Sequence, residues 1–273
     1  MGSFSLVLPA HNEAENIEPV VRRALEVLPG YFDRFEIIIV DDGSKDQTGA
    51  IIDRLAAEDP RVQAVHHIKN RGYGGALTSG FKASTGDHVM FMDSDRQFDI
   101  ADIELLYPFI QTHEIVAGFR MMRQDELHRR IFAETFNLVV RVLFGVHLRD
   151  IDCAFKVFDG DLIRSLQLSS PGALINAEIQ AKARRQGARV QQVGVRHFPR
   201  IAGEATGGNP RVILRAMKET IVLWWKMRTY QPPLGRPNVN GPYRLGDALV
   251  ITGALSTAAI GGSVLKRLLG RDR

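Results

Sequence analysis

Asp93 and Asp95 flank Ser94 directly after the apolar run Val89-Met90-Phe91-Met92. Two carboxylates two residues apart at a strand end can both approach one hard cation. Mg2+ or Mn2+ takes such oxygen ligands and commonly bridges to substrate phosphates. Gln97 can add a further oxygen. An isolated Asp-x-Asp is equally a solvated acidic turn; a place on the fourth strand of a nucleotide-binding sheet is what favours the metal. A second pair, Asp41-Asp42, precedes Gly43-Ser44. A carboxylate there can accept hydrogen bonds from a base or ribose, Gly43 permits positive φ, and Ser44 or Asp46 can cap the next helix. A capped turn alone leaves the second Asp without a role. Lys69-Asn70-Arg71-Gly72-Tyr73-Gly74-Gly75 has the make-up of a phosphate cradle at a helix start: glycines, free backbone N–H groups and two cations. No Gly-Lys-Ser/Thr follows, so it is not a Walker loop.

Alternating strands and helices would position these residues. Phe4–Leu8 is strand-like and stops at Pro9, after which Asn12 can cap a helix through Ile17, Val20, Val21, Ala24 and Leu28. Phe35–Val40 is too apolar for a half-exposed strand and reads as a buried parallel one. A helix over 46–58, a strand over 62–66, a helix over 74–83 and a strand over 88–92 continue the rhythm. The pattern predicts an α/β fold, a mostly parallel sheet with helices on both faces and right-handed crossovers. Ligands of such sheets sit at the carboxyl ends of the strands. Pro9–Glu13, Asp41–Ser44, Lys69–Gly75 and Asp93–Gln97 would therefore converge on one edge. Further on come a strand over 115–118, an amphipathic helix over 126–145, strands over 151–158 and 190–197, and a helix over 177–186.

The 273 residues are 24% charged and 45% hydrophobic, which marks a folded chain. Cys153 is the single cysteine, so an intrachain disulfide and a Cys-rich zinc site are excluded. A net charge of +4 does not argue for nucleic acid. The amino terminus carries no basic leader or long apolar run, so no secretory signal is expected. Residues 203–210, rich in glycine and ending in proline, read as a mobile loop, and residues 211–230 as a second basic amphipathic helix with Trp224-Trp225. From Arg196 to Arg228 seven Arg or Lys residues face two Glu, which suits an anionic membrane surface. A core-packing helix with a solvated basic face, or a homo-oligomer interface, is the plainer use. Residues 231–242 form a linker. The uncharged stretch 248–265 approaches the roughly 20 residues a membrane-crossing helix needs, but its glycines and hydroxyl residues dilute it. A mean hydropathy of −0.09 excludes a multi-spanning protein. His66, His67, His113, His128 and His147 share no ligand spacing and are read as structural; Cys153 is read as a buried small residue.

Together these segments resemble the family 2 glycosyltransferases with the GT-A fold, a Rossmann-like sheet. Pro9-Ala10-His11-Asn12-Glu13 is similar to the family's first-strand motif, Val40 to Ser44 to its second, Asn70-Arg71-Gly72 to its helix entry and Asp93-Ser94-Asp95 to its metal motif. The narrower likeness is to the dolichyl-phosphate mannose or glucose synthase type, carried by Gly118-Phe119-Arg120, Arg129-Arg130, 149–156 and 198–204. The resemblance implies donor contacts from Pro9, Ala10, Asn12, Glu13, Asp41, Asp42, Lys69, Arg71, Gly72, Asp93 and Ser94. It implies Mg2+ or Mn2+ on Asp93, Asp95 and Gln97, with Asp95, Arg120, Arg130 and Arg200 at the chemistry. The resemblance covers roughly residues 3–205 and places a glycosyltransferase domain over 1–205. Composition adds a mobile loop and basic amphipathic, membrane-surface helix over 206–230, a linker over 231–247 and, over 248–273, a helix that fits membrane association and soluble packing equally. Departures are Ser94 for a common Ala, Ile100 for a Pro and Ala154 for a Gly. The Gln-x-x-Arg-Trp motif of processive synthases is absent.

The family members that attack with a hydroxyl use a Glu-Asp pair as base; the nearest segment here, Asn176-Ala177-Glu178, lacks the Asp. A lipid phosphate needs no such base, because its second pKa is about 6. It needs guanidinium forks, for which Arg120, Arg130 (or Arg129) and Arg200 are the candidates. The expected reaction is an in-line displacement that moves a hexose from a UDP- or GDP-linked sugar to polyprenyl phosphate with inversion, at the cytoplasmic face of a membrane. The rivals are transfer to a hydroxyl acceptor, nucleotidyl transfer, and an idle module that binds nucleotide or membrane.

Overall fold

The computed structural model describes residues 2–121, 127–199 and 210–233, with residues 127–133 and 210–217 described as backbone only. In chain order the elements are β1 Phe4–Ala10, α1 Ile17–Val27, β2 Phe35–Asp41, α2 Thr48–Glu58, β3 Val62–His66, α3 Tyr73–Ala83, β4 His88–Met92, α4 Ile103–Leu106, β5 Ile115–Arg120, α5 Leu127–Phe144, β6 Phe155–Asp159, α6 Gly160–Ser165, α7 Ile175–Arg185, β7 Val190–Val195 and α8 Pro210–Thr229. The strands form one sheet in the order β3-β2-β1-β4-β6-β5-β7. Among the described strands only β6 runs antiparallel to its neighbours.

The apolar run at Ile37–Val40 is buried between parallel β1 and β3, as its composition requires. From β1 the chain steps outward to β2 and β3, then returns past β1 to β4. Right-handed crossovers place α1 and α2 together on one face and α3 on the other, against β1 and β2. The reversal opens a crevice between the carboxyl ends of β1 and β4, where such folds hold ligands. Phe81 of α3, Phe91 of β4 and Phe158 of β6 meet with ring centroids 6.0–6.1 Å apart, which fixes α3 against the sheet beside that crevice.

Two local expectations change. β1 does not stop at Pro9 but runs to Ala10, paired with β2 along its whole length. Its ladder with β4 ends at Val7, and the Pro9 carbonyl on that side accepts from Ser94 Oγ at 2.9 Å. The missing proline N–H therefore falls where no ladder bond is needed. Asn12 does not cap α1, which starts at Ile17 after Asn16. Asn12 has φ 55, takes a hydrogen bond from the Lys45 N–H and gives its own N–H to Ser44 Oγ, so it ties the β1 exit to the β2 exit.

β6 is shorter than the expected 151–158 strand, with 151–154 forming a turn ahead of it. α8 packs on α5 and α7, and Leu223, Trp224 and Met227 join the common core. Its other face leaves Ile221, Val222 and Trp225 exposed. Among the described residues no helix is long and apolar enough to cross a membrane. The stretches 203–209 and 234–273, including 248–265, lie outside the described residues.

Candidate active site

Because β6 alone is reversed, the turn leading into it lies at the carboxyl ends of the other strands. That edge gathers residues 9–13, 41–44, 66–73, 93–97, 120 and 150–153, with the exit of β7 beside them. The four loops expected to converge do so, joined by three more.

The two β2 aspartates diverge. Asp41 Oδ1 accepts from the Ser44 N–H at 2.9 Å, and Oδ2 lies 3.2 Å from His66 Nδ1. The other ring nitrogen of His66 is 2.8 Å from Asp53 Oδ1. Only an imidazolium offers a proton to both carboxylates. Burial pushes the His66 ring down, but Asp53 and Asp41 outweigh it and hold the ring above its usual value. Burial likewise works to raise Asp41, and the Ser44 and His66 contacts overcome it, leaving the carboxyl below its ordinary range. Asp42 turns into the protein. Its Oδ1 accepts from the Arg71 N–H at 2.8 Å and from His67 Nδ1 at 2.6 Å, and its Oδ2 from the Gly72 N–H at 2.9 Å. His67 is buried, with Nε2 2.8 Å from Ser79 Oγ.

This corrects the phosphate cradle. The Arg71 and Gly72 amides are bound to Asp42, and the Gly74 N–H donates to the Pro171 carbonyl at 2.8 Å. The glycine turn is a nest already filled by a carboxylate. What it offers an incoming phosphate is the exposed side chains of Lys69 and Arg71.

At the β4 exit, Asp93 Oδ1 accepts from the Tyr73 hydroxyl at 2.9 Å. Asp95 is buried and its Oδ1 accepts from the Gln97 N–H at 3.1 Å. The Gln97 side-chain amide donates to the Phe198 carbonyl at 3.3 Å, and the Phe198 N–H returns to Gln97 O at 2.9 Å. Any ligand role for Gln97 therefore falls to its side-chain oxygen. Burial, then Asp93, Asp152 and Asp95, push the Tyr73 phenol far above its ordinary value, so three carboxylates crowd one hydroxyl. Among the described residues no three His, Cys, Asp or Glu side chains form a metal cage. Two carboxylates completed by substrate oxygens and water are the set Mg2+ ordinarily takes, so the donors here fit such an ion.

On the other side, Arg120 forks onto Asp150, Nε to Oδ2 at 2.6 Å and Nη2 to Oδ1 at 2.8 Å. Its guanidinium is engaged by a carboxylate where an acceptor phosphate was expected. Arg130 lies in α5 with only its backbone described, and Arg200 lies outside the described residues. Lys156 is buried under the 150–153 turn, donating to the Ile151 carbonyl at 3.0 Å and to that of Cys153. Cys153 is buried and its thiol is pushed up to about 12 by that burial, in keeping with a packing role. Glu178 is occupied: it accepts from the N–H groups of Ser169 and Ser170 at 3.0 and 2.7 Å and pairs with Lys182 at 2.6 Å.

His66 and His67, expected to be structural, brace Asp41 and Asp42. The signal was available in register, since Asp41 pairs with His66 across parallel β2 and β3. Tyr73, Asp150 and Lys156 join this edge without standing among the residues expected there.

The chain is 34% identical over 242 residues to Glycosyltransferase AglD of Haloferax volcanii, covering 85% of this chain and 38% of that one. It spans only about half the length of several other curated relatives. It is 26% identical over 210 residues to the undecaprenyl-phosphate mannosyltransferase of Micrococcus luteus, covering 73% of this chain and 85% of that one. Among solved structures, glucosyl-3-phosphoglycerate synthase of Mycobacterium tuberculosis in complex with Mn2+, UDP and glucosyl-3-phosphoglycerate has the same GT-A-like fold. It superposes with a TM-score of 0.60 at 23% identity, covering 82% of this chain and 79% of that one. The family described as Glycosyl transferase family 2 matches residues 5–165, the span from β1 through the Asp-Ser-Asp strand end to α6, and the chain belongs to that family.

Proposed function

We propose that this chain is an inverting, divalent-cation-dependent glycosyltransferase that moves a hexose from a nucleotide sugar to a polyprenyl phosphate. The observation that carries the reading is the meeting of Asp93 and Asp95 with the β1 and β2 exits at the sheet's reversal point. Asp41, held ionised by Ser44 and His66, would accept hydrogen bonds from the base. Pro9, Ala10, Asn12 and Glu13 line the opposite lip, and Lys69 and Arg71 screen the diphosphate. Asp93, Asp95 and the Gln97 side-chain oxygen would hold Mg2+ or Mn2+. Bound there, the ion supplies neutralising charge for the departing nucleoside diphosphate.

A hydroxyl acceptor would need a general base. Glu178, the nearest candidate, is engaged by two backbone amides and Lys182. A phosphate monoester is already ionised near neutral pH and needs only placement. Its oxygen would bond to the anomeric carbon as the bond to the diphosphate breaks on the opposite side. Arg130 and Arg200 are the acceptor candidates; Arg120 would take part with Asp150 attached. The Micrococcus luteus relative, named for an undecaprenyl-phosphate acceptor, supports this choice. Trp225, Ile221 and Val222 on α8, with Lys218 and Lys226 beside them, suit the cytoplasmic surface of an anionic membrane where such a lipid lies.

The test is a donor screen with the full chain, Mn2+ or Mg2+, UDP- and GDP-linked sugars, and undecaprenyl or dolichyl phosphate. A radiolabelled lipid-linked sugar together with free nucleoside diphosphate is expected. Product formed equally without the lipid phosphate, or release of pyrophosphate, would overturn the reading.

A further inference from the structure

Tyr73 starts α3 between two residues that must be glycine. At Gly72, with φ 83, a Cβ would lie 2.5 Å from the Pro171 carbonyl oxygen; at Gly74 it would lie 2.1 Å from that of Ser170. The backbone is pinned on both sides, the Gly72 N–H to Asp42 Oδ2 at 2.9 Å and the Gly74 N–H to Pro171 O at 2.8 Å. Each anchor is itself held. His67 braces Asp42 at 2.6 Å, and Glu178 collects the Ser169 and Ser170 amides of the loop that reaches Gly74. The phenol ring is therefore mounted on a stretch of chain fixed from two directions. From there its hydroxyl reaches across to the β4 exit and donates to Asp93 Oδ1 at 2.9 Å. Packing alone would be served as well by phenylalanine, which fills nearly the same volume.

We propose that Tyr73 is a positioning residue that sets the orientation of the Asp93 carboxylate toward the divalent cation. This rests on the reading of Asp93 and Asp95 as metal ligands. A carboxylate with one oxygen anchored no longer turns freely about its Cβ–Cγ bond, so it meets the ion in one pose. Partners that orient metal ligands typically change metal affinity by about 10–100-fold when removed.

The experiment is a calorimetric titration of Mn2+ into the full chain with UDP present, repeated with GDP, for the wild type, Tyr73→Phe and Asp93→Asn. Tyr73→Phe is expected to weaken Mn2+ binding about tenfold or more with an unchanged thermal melt, and Asp93→Asn to abolish it. Wild-type Mn2+ affinity in Tyr73→Phe beside a defective Asp93→Asn overturns the positioning role and leaves the metal reading standing. Tyr73→Phe with a lowered melt but wild-type affinity assigns the residue to packing and overturns the proposal in the same way. Wild-type affinity in both variants overturns the proposal and the metal reading together.

Discussion

Asp41 and Asp42 are adjacent, yet their surroundings assign them opposite work. Asp42 is enclosed by two amides and an imidazole, so removing it takes the acceptor from the buried His67 ring and the part-buried Arg71 amide, while the Gly72 amide keeps Asn70 Oδ1 at 2.9 Å. Asp42→Ala should cost about 3 kcal/mol of stability, read from a shifted urea midpoint at constant slope. A variant as stable as the wild type would show that those donors find other partners. Asp41 instead shares His66 with Asp53. The His66 ring is held above its unfolded value of about 6.5. The stability it contributes is complete below that pH and is lost as pH rises through the folded value. In an NMR titration of the ring, Asp53→Asn should move the midpoint downward, and an unmoved midpoint would remove Asp53 as a cause. Asp95→Ala should lower transfer at least about a hundredfold while the melt stays cooperative.

At the scale of elements, the loop over 169–172 and the start of α7 tell most about the acceptor question. Glu178 binds that loop and Lys182 rather than facing a substrate. Glu178→Gln should destabilise the fold by about 3 kcal/mol or more, since it leaves the buried Lys182 ammonium without its counter-charge. Transfer per folded molecule should stay close to wild type; a collapse of kcat in a stable variant would make Glu178 the base. The strands were legible because burial on both faces forces continuous β-branched runs such as Ile37–Val40, and β4 falls where its apolar run does. The reversed direction of β6 was not legible, since an apolar run looks the same read either way. Pro9 misled for a related reason: its cost depends on whether a neighbouring strand reaches it, and β4 does not. The glycine turn was recognised by composition, but its amides were assigned to a phosphate because their partner, Asp42, is 29 and 30 residues away from the donors.

At the scale of the molecule, the loop-bearing edge of the sheet and a basic amphipathic helix share one core. α8 buries Leu223, Trp224 and Met227 in the common core and leaves Trp225 59% exposed, with Arg228 stacked over both tryptophans at 5.2 and 5.0 Å. A helix so anchored can present its outer face to a surface without unfolding. Replacing Lys218 and Lys226 together with Ala should remove about 1 kcal/mol each from binding to vesicles of phosphatidylglycerol and phosphatidylcholine, roughly thirtyfold in all. Unchanged co-sedimentation would separate α8 from the membrane. The central claim is that Asp93 and Asp95 grip a divalent ion against the donor diphosphate. Anomalous diffraction at the manganese edge, from a crystal soaked with sugar nucleotide and Mn2+, tests it most directly. The expected result is a peak within coordination distance of both carboxylates and of the diphosphate oxygens. Nucleotide density at the sheet edge with the manganese elsewhere, or with none bound, would contradict it.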